Sequence, residues 1–183
     1  MKVTTTALDG VIVIEPAVFE DERGTFSEVF SEAGFAAHGF EPPHRFVQDN
    51  ESRSRRGVVR GLHFQKAPHA QAKLARVAAG AILDVALDMR AGSGTFGRWI
   101  AVEMSAENRR QLFIPRGFAH GFVAREEDTV VIYKVDAPYA PQSEDGVLWC
   151  DPALGIDWGV APDRAIVSAK DAALPTLAEA YKF

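Results

Sequence analysis

Residues 81–89 read Ala-Ile-Leu-Asp-Val-Ala-Leu-Asp-Met, and their alternation decides the fold class. Leu83, Val85, Leu87 and Met89 fall on one side of an extended chain and Ile82, Asp84, Ala86 and Asp88 on the other, because successive side chains of a strand point to opposite faces. Working outward, similar apolar or alternating segments occur at 11–14, 99–104, 111–114, 118–124, 130–135 and 147–149. Between them stand turn signals: Gly57, Gly61, Gly80, the stretch from Gly92 to Gly97, Pro115 to Gly117, Pro138 to Pro141, and Gly146. Many short strands at this spacing predict an all-β sandwich, jelly roll or barrel. Helix is sparse, with one short helix expected over 27–38 and another in the tail after Ser168. Gly92-Ser-Gly94-Thr-Phe-Gly97 matches a dinucleotide fingerprint, but that motif must open a helix, and the residues that follow alternate as a strand.

A chain of 183 residues with 47% hydrophobic and 25% charged residues and a mean hydropathy of −0.07 has a globular composition, expected to form one domain over 1–183. It contains no apolar run of the roughly 18 residues a membrane span needs. The start, MKVTTTALDG, lacks the apolar region of a secretory signal, and a single cysteine, Cys150, excludes an internal disulfide framework; both point to the cytoplasm. A net charge of −5 argues against nucleic-acid or anionic-membrane partners. Yet Arg53, Arg55, Arg56, Arg60, Lys66, Lys73 and Arg76 follow one another with no acid between them, a concentration suited to a phosphate or carboxylate, or to a solvated basic loop.

Ionisable residues inside strand-like segments need a reason. Arg60 and His63 lie in VVRGLHF, Lys73 in AQAKLARV, Asp84 in AILDVAL, His120 in GFAHGF, and Tyr133 with Lys134 in VVIYKV. Together they offer proton acceptors, a proton donor and a cation for a developing oxyanion. The histidines lack metal-ligand spacing, since no H-x-H or H-x-x-x-H pair occurs. Nothing in WCDP would activate Cys150. Metal-free acid/base chemistry is the better reading.

The stretches RGTFSEVF (23–30), QDNESRS (48–54), GVVRGLHFQ (57–65), QAKLARV (71–77), GAILDVALDMR (80–90), NRRQLFIPRGFAHGF (108–122), YKVDAPYAP (133–141), EDGVLWCDP (144–152) and SAKDAALP (168–175) resemble, in order, those of the dTDP-4-dehydrorhamnose 3,5-epimerase family. The resemblance implies a cupin-type jelly roll (double-stranded β-helix) with short peripheral helices. It also implies a homodimer with an exchanged N-terminal strand, and an isomerase that needs no metal or organic cofactor.

The resemblance further implies a role for each matching residue. His63 would be the base, paired with Asp171; Tyr133 would be the acid, and Lys73 would hold the enolate oxygen, with Asp84 and His120 lining the pocket. Ser168-x-x-Asp171 also fits a helix capping box, which would give Asp171 a purely structural role. Arg60 and Arg23 would bind the diphosphate, while Gln48, Asn50 and Glu28 would contact the nucleotide. Phe26 and Tyr139 would stack on thymine, with Glu144 and Lys170 as further ligand contacts. Arg23 and Glu28 would come from the partner subunit. Glu51, Thr25 and Cys150 depart from the residues usual in the family, but none stands at a catalytic position.

Overall fold

A computed structural model describes residues 1–38 and 45–183. Its strands are, in chain order, Lys2–Thr5 (β1), Ile12–Glu15 (β2), Phe19–Asp21 (β3), Gly24–Phe26 (β4), Gln48–Ser54 (β5), Val59–Gln65 (β6), Lys73–Ala79 (β7), Ala81–Asp88 (β8), Trp99–Ser105 (β9), Gln111–Ile114 (β10), Phe118–Ala124 (β11), Thr129–Val135 (β12) and Glu144–Gly146 (β13). They form a six-stranded sheet in the order β1-β2-β10-β7-β12-β5 and a five-stranded sheet in the order β13-β6-β11-β8-β9. Every pairing between these strands is antiparallel. This is the jelly roll anticipated from the alternating segments.

The pleat explains which residues fill the space between the sheets. Ala75, Val77, Leu112, Ile114 and Val131 face inward from one sheet, and Ile82, Ala86, Met104, Phe118 and Phe122 meet them from the other. The opposite face of β8, carrying Leu83, Val85 and Leu87, is buried too, under Trp149, Leu154, Trp158 and Ala180 of the C-terminal segment. Both faces of 81–88 are therefore covered.

Two expectations need correction. Residues 147–149 are not a strand; the pairing strand is the preceding Glu144–Gly146. Val147 and Trp149 are apolar because they pack on the outer face of the five-stranded sheet. The helix expected over 27–38 shrinks to Glu32–Ala36 (α1), because Ser31 caps it there, its Oγ accepting from the Gly34 N–H at 3.1 Å. The tail helix is a single turn, Ala169–Ala172 (α2), capped by Ser168.

Residues 92–97 do form turns leading into β9, and their polarity is the reverse of a phosphate cradle. The loop is built around the buried Asp88 carboxylate, which accepts from Arg90 N and Nε at 2.9 Å, Ser93 Oγ at 2.7 Å and Thr95 Oγ1 at 2.6 Å. Burial alone would raise the Asp88 carboxyl, but these donors outweigh it and hold the group far below the usual carboxylate range.

The β3–β4 hairpin stands apart from both sheets, with Phe19 64% and Phe26 70% exposed. Arg109 ties it to the body, Nη2 donating to Thr25 Oγ1 at 2.6 Å. Among the described residues no helix is long and apolar enough to cross a membrane.

Candidate active site

The inward faces that build the core also carry polar residues. Lys73 precedes Ala75 and Val77 on β7, Asp84 lies between Ile82 and Ala86 on β8, His120 between Phe118 and Phe122 on β11, and Tyr133 follows Val131 on β12. His63 enters the same space from β6, opposite His120 in the strand register. Arg60, His63, Lys73, His120, Tyr133 and Asp171 all line one cleft of about 670 Å³.

His63 and Asp171, 108 positions apart, touch: Nε2 lies 2.9 Å from Asp171 Oδ1. Oδ2 accepts the Gly61 N–H at 3.0 Å. The Ser168 cap also forms, accepting from Asp171 N at 3.0 Å, so the cap and the pair are compatible: the backbone of Asp171 serves one and its carboxylate the other. Burial opposes ionisation of Asp171, but the bonds from His63 and Gly61 prevail and lower its pKa. The approach that makes this possible needs glycine. A Cβ on Gly61, at φ +117°, would lie 2.6 Å from the Gly121 Cα and 2.7 Å from the His120 carbonyl.

A second pair lies deeper. His120 Nε2 is 2.6 Å from Asp84 Oδ1, reached diagonally across β11 and β8, where His120 pairs with Ala86 and Asp84 with Phe122. Lys73 is buried beside them and its Nζ donates to the His63 carbonyl at 3.2 Å. Burial pushes its pKa down to about 8, with Asp84 and Glu144 pulling the other way. Tyr133 is raised by burial, with the Arg60 charge opposing, so its phenol is a proton donor at neutral pH.

Toward the rim, Glu144 accepts from Tyr139 Oη at 2.5 Å and pairs with Lys170 Nζ at 2.6 Å. Burial would raise Glu144, but these two donors overcome it and lower its pKa. Gln48 donates to Asn50 Oδ1 at 2.8 Å and accepts the Tyr139 N–H at 3.0 Å. All but Lys170 line an adjoining hollow of about 300 Å³, which shares His63, Lys73, Tyr133, Tyr139 and Glu144 with the main cleft. Arg60 is steadied by Ser54, its Nε donating to Oγ at 3.1 Å.

The basic segment divides. Arg53, Arg55 and Arg60 line the cleft and Lys73 enters it, while Lys66 pairs with Asp145. Arg23, Phe26 and Glu28 line neither hollow; Arg23 is exposed on the hairpin and paired with Asp21. Ser54 and Gly61 were missed as site residues. On β5 the inward positions Gln48, Asn50, Ser52 and Ser54 are all polar, so a hydrophobic alternation test does not register the strand. The alternation of charged Asp49, Glu51 and Arg53 with uncharged Gln48, Asn50, Ser52 and Ser54 was the available signal.

Comparison with known proteins gives the family of the chain. The family model described as dTDP-4-dehydrorhamnose 3,5-epimerase matches residues 5–179. The chain is 53% identical to the dTDP-4-dehydrorhamnose 3,5-epimerase of Methanothermobacter thermautotrophicus, over 91% of this chain and 89% of that one. It is 48% identical to the Salmonella typhimurium enzyme of the same name, over 98% and 97%. The crystal structure of the Legionella pneumophila dTDP-6-deoxy-D-glucose-3,5-epimerase in complex with dTDP-4-keto-L-rhamnose superposes with a TM-score of 0.91 at 44% identity, covering 97% of this chain and 93% of that one.

Proposed function

The chain belongs to the dTDP-4-dehydrorhamnose 3,5-epimerase family, and from that premise we propose that it converts dTDP-4-dehydro-6-deoxy-D-glucose to dTDP-4-dehydro-L-rhamnose by inverting C3 and C5. The C4 ketone of such a sugar acidifies the hydrogens on both neighbours. Each inversion then needs a base on one face, an acid on the other and a charge partner for the enolate oxygen. His63 takes the proton, and the Asp171 carboxylate stabilises the imidazolium that results. The Tyr133 phenol returns a proton to the opposite face. The Lys73 ammonium meets the enolate oxygen, with the His120–Asp84 pair beside it on the wall. The convergence of His63, Tyr133 and Lys73 on one cleft is the observation that carries this reading.

Arg60 binds the diphosphate, as a steadied guanidinium suits phosphate oxygens. Gln48, Asn50, Tyr139, Glu144 and Lys170 hold the nucleotide end. Arg23, Phe26 and Glu28 serve the cleft of a second copy: the enzyme is a homodimer that exchanges its N-terminal strand, a reading supported by the separate β3–β4 hairpin with its exposed Phe19 and Phe26. The enzyme is cytoplasmic and forms one domain. It works without a metal or organic cofactor, the buried Lys73 ammonium supplying the charge that meets the enolate oxygen; turnover should survive exhaustive chelation with EDTA.

NMR of the ketosugar incubated with enzyme in deuterated water tests the activity. Deuterium at both C3 and C5 supports double inversion. Label at one carbon makes the protein a mono-epimerase, and none makes it a non-catalytic sugar-nucleotide binder.

A further inference from the structure

Apart from the catalytic cleft and its adjoining hollow lies a separate hollow, of about 480 Å³, between the 56–57 loop, the end of β11 and the turn at 159–164. Three arginines line it, Arg56, Arg125 and Arg164, and no carboxylate does. In a chain of net charge −5 this is a local reversal of sign. It shares no lining residue with the catalytic cleft. The wall between them is the Val58–Ile166 bridge, hydrogen-bonded on both sides, Val59 N to Ile166 O at 3.0 Å and Ile166 N to Gly57 O at 2.9 Å.

One of the three guanidinium groups is fixed in place. Arg125 Nη1 donates to the Trp158 carbonyl at 2.8 Å, and Nη2 to Glu103 at 3.2 Å. Its position against Gly159 requires the absence of a side chain there, because a Cβ on that residue, at φ +62°, would run into Arg125 Nη1. Glu103 is 59% exposed at its side chain and is not part of the lining. Arg56 and Arg164 are exposed, and neither has an ion pair or side-chain hydrogen bond among the described residues. Two free guanidinium groups and one anchored one surround a space whose remaining lining is Gly57, Gly159 and the apolar Val123, Ala124, Val160 and Ala161. Guanidinium groups bind phosphate oxygens in bidentate fashion, and convergence of several on one hollow favours a multiply charged anion.

We propose that this hollow is a second anion site that takes a phosphoryl or diphosphoryl group of a small molecule, independent of Arg60. Isothermal titration with inorganic diphosphate at low ionic strength tests it, because exposed pairs are screened by salt. Wild type should show two classes of site. Arg60→Ala should lose one and keep the other; the double variant Arg56→Ala/Arg164→Ala should do the reverse, weakening the second class at least ~10-fold. Unchanged melting temperature in the double variant would confirm that the fold persists. A single class of site that Arg60→Ala removes, or a double variant whose isotherm matches wild type, would overturn the proposal.

Discussion

Among the described residues there are two histidine–aspartate pairs, and their histidines stand on facing positions of β6 and β11. In each, Nε2 meets a carboxylate oxygen, at 2.9 Å for His63–Asp171 and 2.6 Å for His120–Asp84. What surrounds them differs. The His63 side chain is 29% exposed to the cleft, and both Asp171 oxygens are bonded. The His120 side chain is 6% exposed, and Asp84 Oδ2 is buried with no hydrogen-bond partner among the described residues. The first pair has an open ring face and a fully anchored counter-charge, which suits a group that gains and loses a proton in each turnover. The second is sealed into the wall, where a carboxylate with an unmet oxygen adds negative potential beside Lys73. Identical residue types thus take different work from burial and from what else their carboxylates touch.

The sharpest way to break this contrast is to remove each imidazole. His63→Ala should lower turnover and deuterium wash-in together by about 10²–10⁴-fold, the range for loss of a general base. His120→Gln, which keeps a donor toward Asp84, should cost at least ~10-fold less in wash-in. Equal losses would mean that the sealed pair also removes protons. Tyr133→Phe probes the opposite face of the sugar: His63 still removes and returns a proton, so wash-in should persist while inversion falls. If exchange and inversion fall equally, the two-face assignment fails.

Asp171→Asn keeps an acceptor for Gly61 but removes the charge, and should slow turnover by roughly 10–10²-fold. Because the Asp171 carboxyl is lowered on folding, its stabilisation is present above the ordinary carboxylate range and is lost as pH falls through the folded value. Acid titrations followed by circular dichroism should show wild type losing its advantage over the variant only below about pH 4.

Lys73 carries the reverse sign. A buried lysine with a pKa of about 8 opposes folding while it is protonated, and wild type recovers stability as pH rises from 8 toward the unfolded value. Lys73→Met should therefore melt higher than wild type at pH 7, by at most about 3 kcal/mol in stability, and the gap should close near pH 10. Wild-type turnover should fall as pH rises through about 8, as the ammonium is lost. The smallest effect concerns Arg60. Ser54→Ala frees its guanidinium and should raise KM about 2–5-fold with kcat unchanged. A fall in kcat alone would place Ser54 in the chemistry.

Where a strand buries one or two apolar faces, the chain announces it. The 81–88, 111–114 and 118–124 segments were legible because side-chain period and burial coincide. Strand β5 was not, since its inward face is polar where it lines the site. Residues 147–149 misled for the complementary reason: apolar character reports burial, and a loop packed on a sheet is buried as well. Site residues were recognisable as ionisable groups in apolar strands. The pairing of His63 with Asp171 came from the family resemblance alone, because local periodicity says nothing about which residue 108 positions away closes a hydrogen bond.

The C-terminal segment that roofs the five-stranded sheet also carries Asp171, and this ties competence to the order of synthesis. A growing chain has made its last strand by Gly146, before the counter-charge of its base has been added. A chain halted at Gly146 would lack the cover over Leu83, Val85 and Leu87 as well as Asp171, and would expose an apolar sheet face. The stretch after Gly146 thus supplies two things from one piece of chain, the cover of that sheet through Trp149, Leu154 and Trp158 and the carboxylate that meets His63.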